Sequence, residues 1–289
     1  MMTLSQLYQQ TRMQLLKKED KETAGHYARN LVCHFSGCPA ERFLAEQSLV
    51  ATEETCRKVA DGVVRLLADE PLAYVLGEWE FYGMKLCVNS HVLIPRDDTC
   101  AVTSLAIRQG MFLGKAPRVL DLCTGSGCIG LAVARNILDA RVTLADISSE
   151  ALAVAKKNIL RNELSSRVTC YQTDALKQPE SFLGKYDLIV SNPPYITTQE
   201  MRELPDSVAE YEPPSALFGG DDGLDFYRAI AKNYKKALKP GGFLCFEFGM
   251  GQGDSVCEIL QINGYTILER SRDYNDIERA VLAQYARKD

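Results

Sequence analysis

From residue 118 onward, short apolar runs alternate with amphipathic stretches of helical length. Residues 118–122 read as a strand, 129–138 as a helix, 142–146 as a strand and 150–162 as a helix capped by Ser148. Further strands are expected at 168–172 and 186–191. A helix over 223–238 should stop at Lys239-Pro240-Gly241-Gly242, because proline and paired glycines do not continue a helix. A strand at 243–248, a helix at 256–262 and strands at 265–268 and 277–284 complete the pattern. Strands joined through helices imply parallel neighbours and a sheet covered on both faces. The expected fold class is therefore α/β, with a mostly parallel seven-stranded sheet of Rossmann-like design.

The fourth strand of this series runs directly into Asn192-Pro193-Pro194-Tyr195. Neither proline can donate to a ladder, and each fixes φ near −65°. The residue before a proline is driven out of the helical region. Asn192 is thus expected at a strand tip, with an extended backbone and a free side chain. The carboxyl edge of an open α/β sheet is where ligands bind. Asn-Pro also punctuates ordinary loops, so the motif alone does not decide between the two.

The first strand and turn add weight. Cys123-Thr124-Gly125-Ser126-Gly127 is a small-residue turn between strand and helix, which gathers backbone N–H groups at a helix N-terminus. The next strand ends on Asp146, at a spacing suited to a carboxylate gripping a ribose diol. Asp121 lies just ahead of the turn and either meets a ligand's amino group or braces the loop. No Gly-x-x-x-x-Gly-Lys-Ser/Thr sequence is present, so a P-loop is excluded. The turn, the spaced acid and the Asn-Pro-Pro-Tyr motif should all fall on one sheet edge.

The first seventy or so residues are helical in pattern throughout. Thr52 is placed to cap a helix through Val59, Val63 and Leu66. The expected organisation is a helical bundle at 1–75, either a packing cap or a domain that recognises a partner, then a β-hairpin linker at 76–100 and the α/β domain at 101–289. A net charge of −5 argues against a broad phosphate-binding surface, so direct nucleic-acid binding is not expected. No apolar run reaches membrane-spanning length and no signal-type segment opens the chain, which points to the cytoplasm. The ten cysteines lack metal-ligand spacing and read as reduced thiols, with no metal site expected.

Taken together, Asp121 to Gly127 with Asp146 resemble the nucleoside pocket of class I S-adenosylmethionine-dependent methyltransferases. Asn192-Pro193-Pro194-Tyr195 resembles the signature of enzymes that methylate a planar nitrogen. Leu93-Ile94-Pro95-Arg96, Glu212-Pro213-Pro214-Ser215-Ala216-Leu217-Phe218-Gly219-Gly220 and Gly223-Leu224-Asp225-Phe226-Tyr227-Arg228 narrow the resemblance to the peptide chain release factor glutamine methyltransferases, the HemK/PrmC family. The resemblance covers nearly the whole chain, including Pro71-Leu72-Ala73-Tyr74-Val75-Leu76-Gly77. It implies methylation of the side-chain amide nitrogen of the glutamine in the Gly-Gly-Gln motif of class 1 release factors. It also implies S-adenosylmethionine as methyl donor and S-adenosylhomocysteine as product.

On that resemblance, Asp121, Cys123, Thr124, Gly125, Ser126, Gly127, Asp146, Asp174, Ala175 and Asn192 meet the cofactor. Asn192, Pro193, Pro194 and Tyr195 meet the substrate amide, with Asn192, Pro193 and Tyr195 carrying the chemistry. Three positions depart from the family pattern. Cys123 stands where glycine is frequent, and should fit if its φ is negative. Cys100 stands where an acid is usual, and Ala175 where a bulky apolar residue is frequent. Other readings predict different observations. A ribosomal-protein glutamine methyltransferase differs in its substrate, and a DNA adenine methyltransferase would carry a base-recognition domain. A nicotinamide-dependent oxidoreductase leaves the Asn-Pro-Pro-Tyr motif unexplained, and a non-catalytic binding protein would take no cofactor.

Overall fold

The computed structural model describes residues 2–285 and comprises two compact units. Among the described residues, the first holds 2–77 together with 206–211; the second holds 78–205 and 212–285. The helices of the first unit include α1 (Leu4–Leu15), α2 (Lys21–Ser36), α3 (Phe43–Glu46), α4 (Glu53–Leu67) and α5 (Leu72–Leu76). Each long helix has a side-chain cap at its start. Thr3 forms a capping box with Gln6, Asp20 accepts from the N–H groups of Glu22 and Thr23, and Thr52 accepts from Thr55. Leu15, Leu31, Val59 and Leu66 are buried. Gly62 lets α4 approach α2, since a Cβ there would come within 2.7 Å of the Leu31 side chain. Met13, on the outer side of α1, is 64% exposed.

The second unit opens with an antiparallel hairpin, β1 (Glu78–Phe81) and β2 (Met84–Cys87). After it come α6 (Cys100–Met111), β3 (Arg118–Leu122), α7 (Cys128–Asn136), β4 (Arg141–Asp146), α8 (Ser149–Arg161), β5 (Val168–Gln172) and β6 (Tyr186–Ser191). Then follow α9 (Asp206–Ala209), which belongs to the first unit, α10 (Asp225–Asn233), β7 (Leu238–Glu247), α11 (Gly253–Ile262), β8 (Tyr265–Arg272) and β9 (Glu278–Tyr285). The sheet order is β5-β4-β3-β6-β7-β9-β8, with β9 antiparallel to both neighbours and the other pairs parallel. Two apolar clusters cover its faces. One gathers Val102, Leu105, Leu131, Val133 and Ile159 from α6, α7 and α8; the other gathers Tyr227, Ile230, Val256 and Leu260 from α10 and α11.

The helix expected to run to residue 238 ends sooner. α10 stops at Asn233, a 3₁₀ turn covers Tyr234–Ala237, and β7 already begins at Leu238. Lys239, Pro240, Gly241 and Gly242 fall inside the strand, as an irregularity where pairing jumps from Tyr186↔Leu238 to Leu188↔Phe243. Proline is accommodated at such a bulge because it has no N–H to give the ladder.

The order β4-β3-β6 reverses direction at β3, so the crevice at the carboxyl ends of β3 and β6 is a topological switch point. A further polar anchor sets the elements around it. Asn158 of α8 is fully buried; its Oδ1 accepts from Cys87 N at 2.6 Å, while its Nδ2 donates to the carbonyls of Cys87 and Ser126. One side chain thus joins the hairpin to the turn after β3.

Candidate active site

The turn after β3 requires left-handed backbone at three alternate positions: Cys123 at φ 61°, Gly125 at 54° and Gly127 at 86°. The condition of a negative φ at Cys123 is therefore not met. The strand must reverse over five residues to present α7, and the left-handed geometry falls on a non-glycine residue that pays for its Cβ. Gly127 caps α7, and a Cβ there would press within 3.0 Å of Leu144. Asp121 lies under this turn with no exposure, accepting from Thr124 Oγ1 at 2.5 Å and Gly130 N at 2.9 Å. Its second oxygen, Oδ1, has no hydrogen-bond partner among the described residues. Burial pushes its carboxyl up to about 7.

Asp146 ends β4. Its Oδ2 accepts from Gly125 N at 2.9 Å and its Oδ1 from Ser148 N at 3.0 Å. The carboxylate keeps acceptor capacity beyond these two bonds. Burial raises its carboxyl above the ordinary range, against the pull of the N–H groups of Ser148 and Gly125.

Asn192 follows β6, whose Ser191 pairs with Leu122 on one side and Phe246 on the other. Its side chain is not free as expected: Nδ2 donates to Thr99 Oγ1 at 3.4 Å. Thr99 is 2% exposed and stands immediately before α6. Pro193 and Pro194 are buried. The long loop after Tyr195 returns to this motif, with Ile196 N donating to Leu217 O and Gly219 N to Ile196 O. Gly219 and Gly223 permit that approach. Added Cβ atoms would meet Pro194 O at 2.6 Å and Tyr195 O at 2.3 Å. These glycines are seats for the returning backbone.

A cavity of about 580 Å³ connects these parts. Cys123, Thr124, Gly125, Ser126, Asp146, Asp174, Ala175, Asn192 and Pro194 line it, so most expected site residues come together. Asp121, Gly127, Pro193 and Tyr195 are not among its lining residues. Asp121 and Gly127 hold the turn from behind. Tyr195 packs against the apolar cluster under α10, and its backbone carbonyl accepts from Gln252 Nε2 at 3.0 Å.

Several lining residues were not singled out from the sequence. Ile147 and Leu176, exposed apolar residues after β4 and β5, flank the Asp146 end. Pro95 and Pro214, with Phe218 and Phe226, wall the Asn192 end. His91, in the loop after β2, also lines the cavity. The two proline-rich segments are tied behind the wall by Glu212, which is 2% exposed and accepts from Ile94 N at 3.3 Å and from the Arg96 guanidinium. Only the Leu-Ile-Pro-Arg and Glu-Pro-Pro motifs hinted at this, since pairing across more than a hundred residues has no local signature.

One end of the cavity thus offers a helix N-terminus and a carboxylate with spare acceptors, flanked by apolar side chains. The other offers a carboxamide beside proline and aromatic walls. These residues fit a nucleoside-bearing ligand and a planar polar group.

Comparison with known proteins agrees with the geometry. Residues 104–207 match the methyltransferase small domain family, and residues 6–77 match the PrmC N-terminal domain. A release factor glutamine methyltransferase of Clostridium acetobutylicum is 41% identical over 213 residues, 74% of each chain. One from Geobacter sulfurreducens is 42% identical over 221 residues, 76% of this chain and 75% of that one. One from Thermodesulfovibrio yellowstonii is 34% identical over 259 residues, 89% of this chain and 91% of that one. Among solved structures, the hMettl16 catalytic domain shares the fold with TM-score 0.56 at 16% identity, covering 84% of each chain. With the sheet order, the site motifs and these relatives in agreement, the chain belongs to the release factor glutamine methyltransferase family.

Proposed function

We propose that this protein transfers a methyl group from S-adenosylmethionine to the side-chain amide nitrogen of the glutamine in the Gly-Gly-Gln motif of class 1 release factors, in the cytoplasm. The observation that carries this reading is the Asn192 carboxamide at the tip of β6. Its nitrogen is engaged by Thr99, which leaves the oxygen as an acceptor, and the residue lines the same cavity as Asp146 and the turn. The names of the relatives supply the substrate class.

The turn residues Thr124 to Ser126 and the spare acceptors of Asp146 suit the polar parts of the cofactor. Asp174 and Ala175, with Ile147 and Leu176, suit its base. The sulfonium of the bound cofactor supplies an activated methyl group. The difficulty the protein must solve is the amide nitrogen, whose lone pair is delocalised into its carbonyl. Acceptors on both N–H groups bias the lone pair outward. Asn192 Oδ1 accepts one and the Pro193 carbonyl the other, with proline on both sides of that carbonyl keeping it from turning. Holding a nitrogen in line and surrounding it with fixed dipoles is worth several orders of magnitude in rate. The proton leaves to solvent after transfer.

The helical unit is proposed to grip the release factor. A chain beginning at Pro71 that folds should keep its affinity for S-adenosylhomocysteine and lose affinity for release factor; equal release factor binding by both chains would assign the helices a packing role.

The function is tested by incubating the protein with labelled cofactor and, in parallel, a class 1 release factor, ribosomal protein and DNA, then locating the label by peptide fragmentation. Label on the Gly-Gly-Gln glutamine alone is the expected result. Label on a ribosomal-protein glutamine or on adenine would replace this reading with the corresponding alternative.

A further inference from the structure

Glu247 is a carboxyl group that neither the cofactor pocket nor the substrate wall accounts for. It ends β7, is 1% exposed, and follows Phe246, the partner of Ser191 in the β6–β7 register. That register sets Glu247 beside Asn192. Side chains alternate along a strand, and Cys245 two residues earlier bonds to the α6 carbonyl of Val102. Glu247 therefore faces the same side, where Thr99 leads into α6. Burial pushes its carboxyl up to about 8, and the neighbouring polar side chains of Thr99 and Asn192 pull it back down. Its Oε2 lacks any partner among the described residues. Its backbone is fixed as well, because the buried Tyr227 hydroxyl donates to Glu247 O at 2.9 Å. The charged and titratable groups around it are Asp98, Arg279, Tyr195, Tyr227, Cys100 and Cys128; Arg279 is committed to ion pairs with Asp98 and Asp273 at 2.9 Å each.

A buried carboxyl with an unmatched oxygen is costly, and a strand end would be filled more cheaply by an apolar residue. What the carboxyl contributes is direction. A carboxamide has two chemically opposite ends that differ little in shape, so something must decide which end faces the cavity. Ionised or protonated, a carboxyl presents an acceptor oxygen. A Thr99 hydroxyl that gives its hydrogen to that oxygen turns a lone pair toward Asn192. Only the NH₂ end of Asn192 satisfies that arrangement, which agrees with the observed Nδ2 to Oγ1 bond.

We infer that Glu247 is a positioning residue for methyl transfer: through Thr99 and directly, it fixes the flip of the Asn192 carboxamide so that Oδ1 faces the substrate amide. The inference rests on the proposed role of Asn192. It extends that role two residues back into the fold.

The test compares Glu247→Leu, which removes the acceptor, with Glu247→Gln, which retains one. Single-turnover transfer to release factor is measured with both substrates saturating. Glu247→Leu should slow transfer by about tenfold or more, the scale of one buried hydrogen bond with partners left unpaired, while Glu247→Gln stays within about threefold of wild type. Affinity for S-adenosylhomocysteine should hold within about twofold in both, as expected for a group outside the cofactor contacts. In an Asn192→Ala background, Glu247→Leu should change the rate by less than about twofold, because residues acting through one another are not additive. Thr99→Val interrupts the same chain from the middle and serves if Glu247→Leu does not fold. A substrate-free readout separates this inference from the functional reading: the Asn192 side-chain NH₂ resonances should shift and average in Glu247→Leu and persist in Glu247→Gln. A wild-type rate in Glu247→Leu, an undiminished effect in the Asn192→Ala background, or unchanged Asn192 resonances would each overturn the inference. A wild-type enzyme inert toward release factor, with the resonance coupling intact, would overturn the function and uphold the positioning.

Discussion

Asp146 Oδ2 accepts the backbone N–H of Gly125 at 2.9 Å, so the acid that ends β4 and the turn that ends β3 hold one another. The same carboxylate stabilises the turn and presents its unused lone pairs to the cavity.

Asp146→Ala should therefore weaken S-adenosylhomocysteine binding by about tenfold or more, since each hydrogen bond to a charged group contributes about 1.5–3 kcal/mol. Asp146→Asn keeps an acceptor for Gly125 N and should lose less. Isothermal titration of the folded variants reads both. An unchanged dissociation constant for Asp146→Ala would remove this carboxylate from the binding site.

The left-handed Cys123 gives a second expectation. A β-branched residue tolerates that conformation worst, whereas glycine adopts it freely. Cys123→Val should lower unfolding free energy by about 2 kcal/mol, whereas Cys123→Gly, which trades strain relief for lost packing, should stay within about 1 kcal/mol of wild type. Urea denaturation distinguishes them. Equal effects of valine and glycine would mean that backbone strain at this position is negligible.

This cysteine shows where sequence reading stops. The sheet was legible because strand runs such as 168–172 and 186–191 and the intervening helices carry strong periodicity, and those bounds match the structure. Motif residues at strand tips were legible for the same reason. The φ of Cys123 was not, because a turn's handedness follows from the direction of the next helix. The early end of α10 was missed because a proline and two glycines read as a stop fit equally well inside a bulge of β7. Asn158, Glu212 and Glu247 were missed because their meaning lies in partners distant in the chain. A polar residue in an apolar run has no local signal that names its partner.

Glu212 provides a third expectation. It is 2% exposed, and Arg96 is its cationic partner. Arg96→Ala leaves a carboxyl buried with only the Ile94 N–H, and should destabilise the fold by about 1–3 kcal/mol. Arg96→Ala with Glu212→Gln should recover part of that loss, because the unpaired charge is gone. A single variant as stable as wild type would show the pair to be dispensable.

Stability should also depend on pH through the two fully buried carboxyls. Burial raises Asp121 from 3.8 to about 7 and Glu247 from 4.5 to about 8. Between the unfolded and folded values the native state holds the extra protons, so stability falls as pH rises from about 4 to about 8, by up to about 1.4 kcal/mol per pH unit for each group. Glu247→Gln removes one of the two contributions and should flatten the dependence of Tm on pH across that window. A Tm profile identical to that of wild type would mean that Glu247 titrates as an ordinary carboxyl.

The central claim is that the Asn192 carboxamide orients the nitrogen that receives the methyl group, and single-turnover transfer of labelled methyl to a class 1 release factor tests it directly. With cofactor saturating and its binding verified separately, Asn192→Ala should lower the rate by about 10²–10³, the usual effect of removing one preorganised partner. Asn192→Asp retains an acceptor of the same shape and should retain more activity than the alanine variant. Transfer by Asn192→Ala at the wild-type rate would contradict the account.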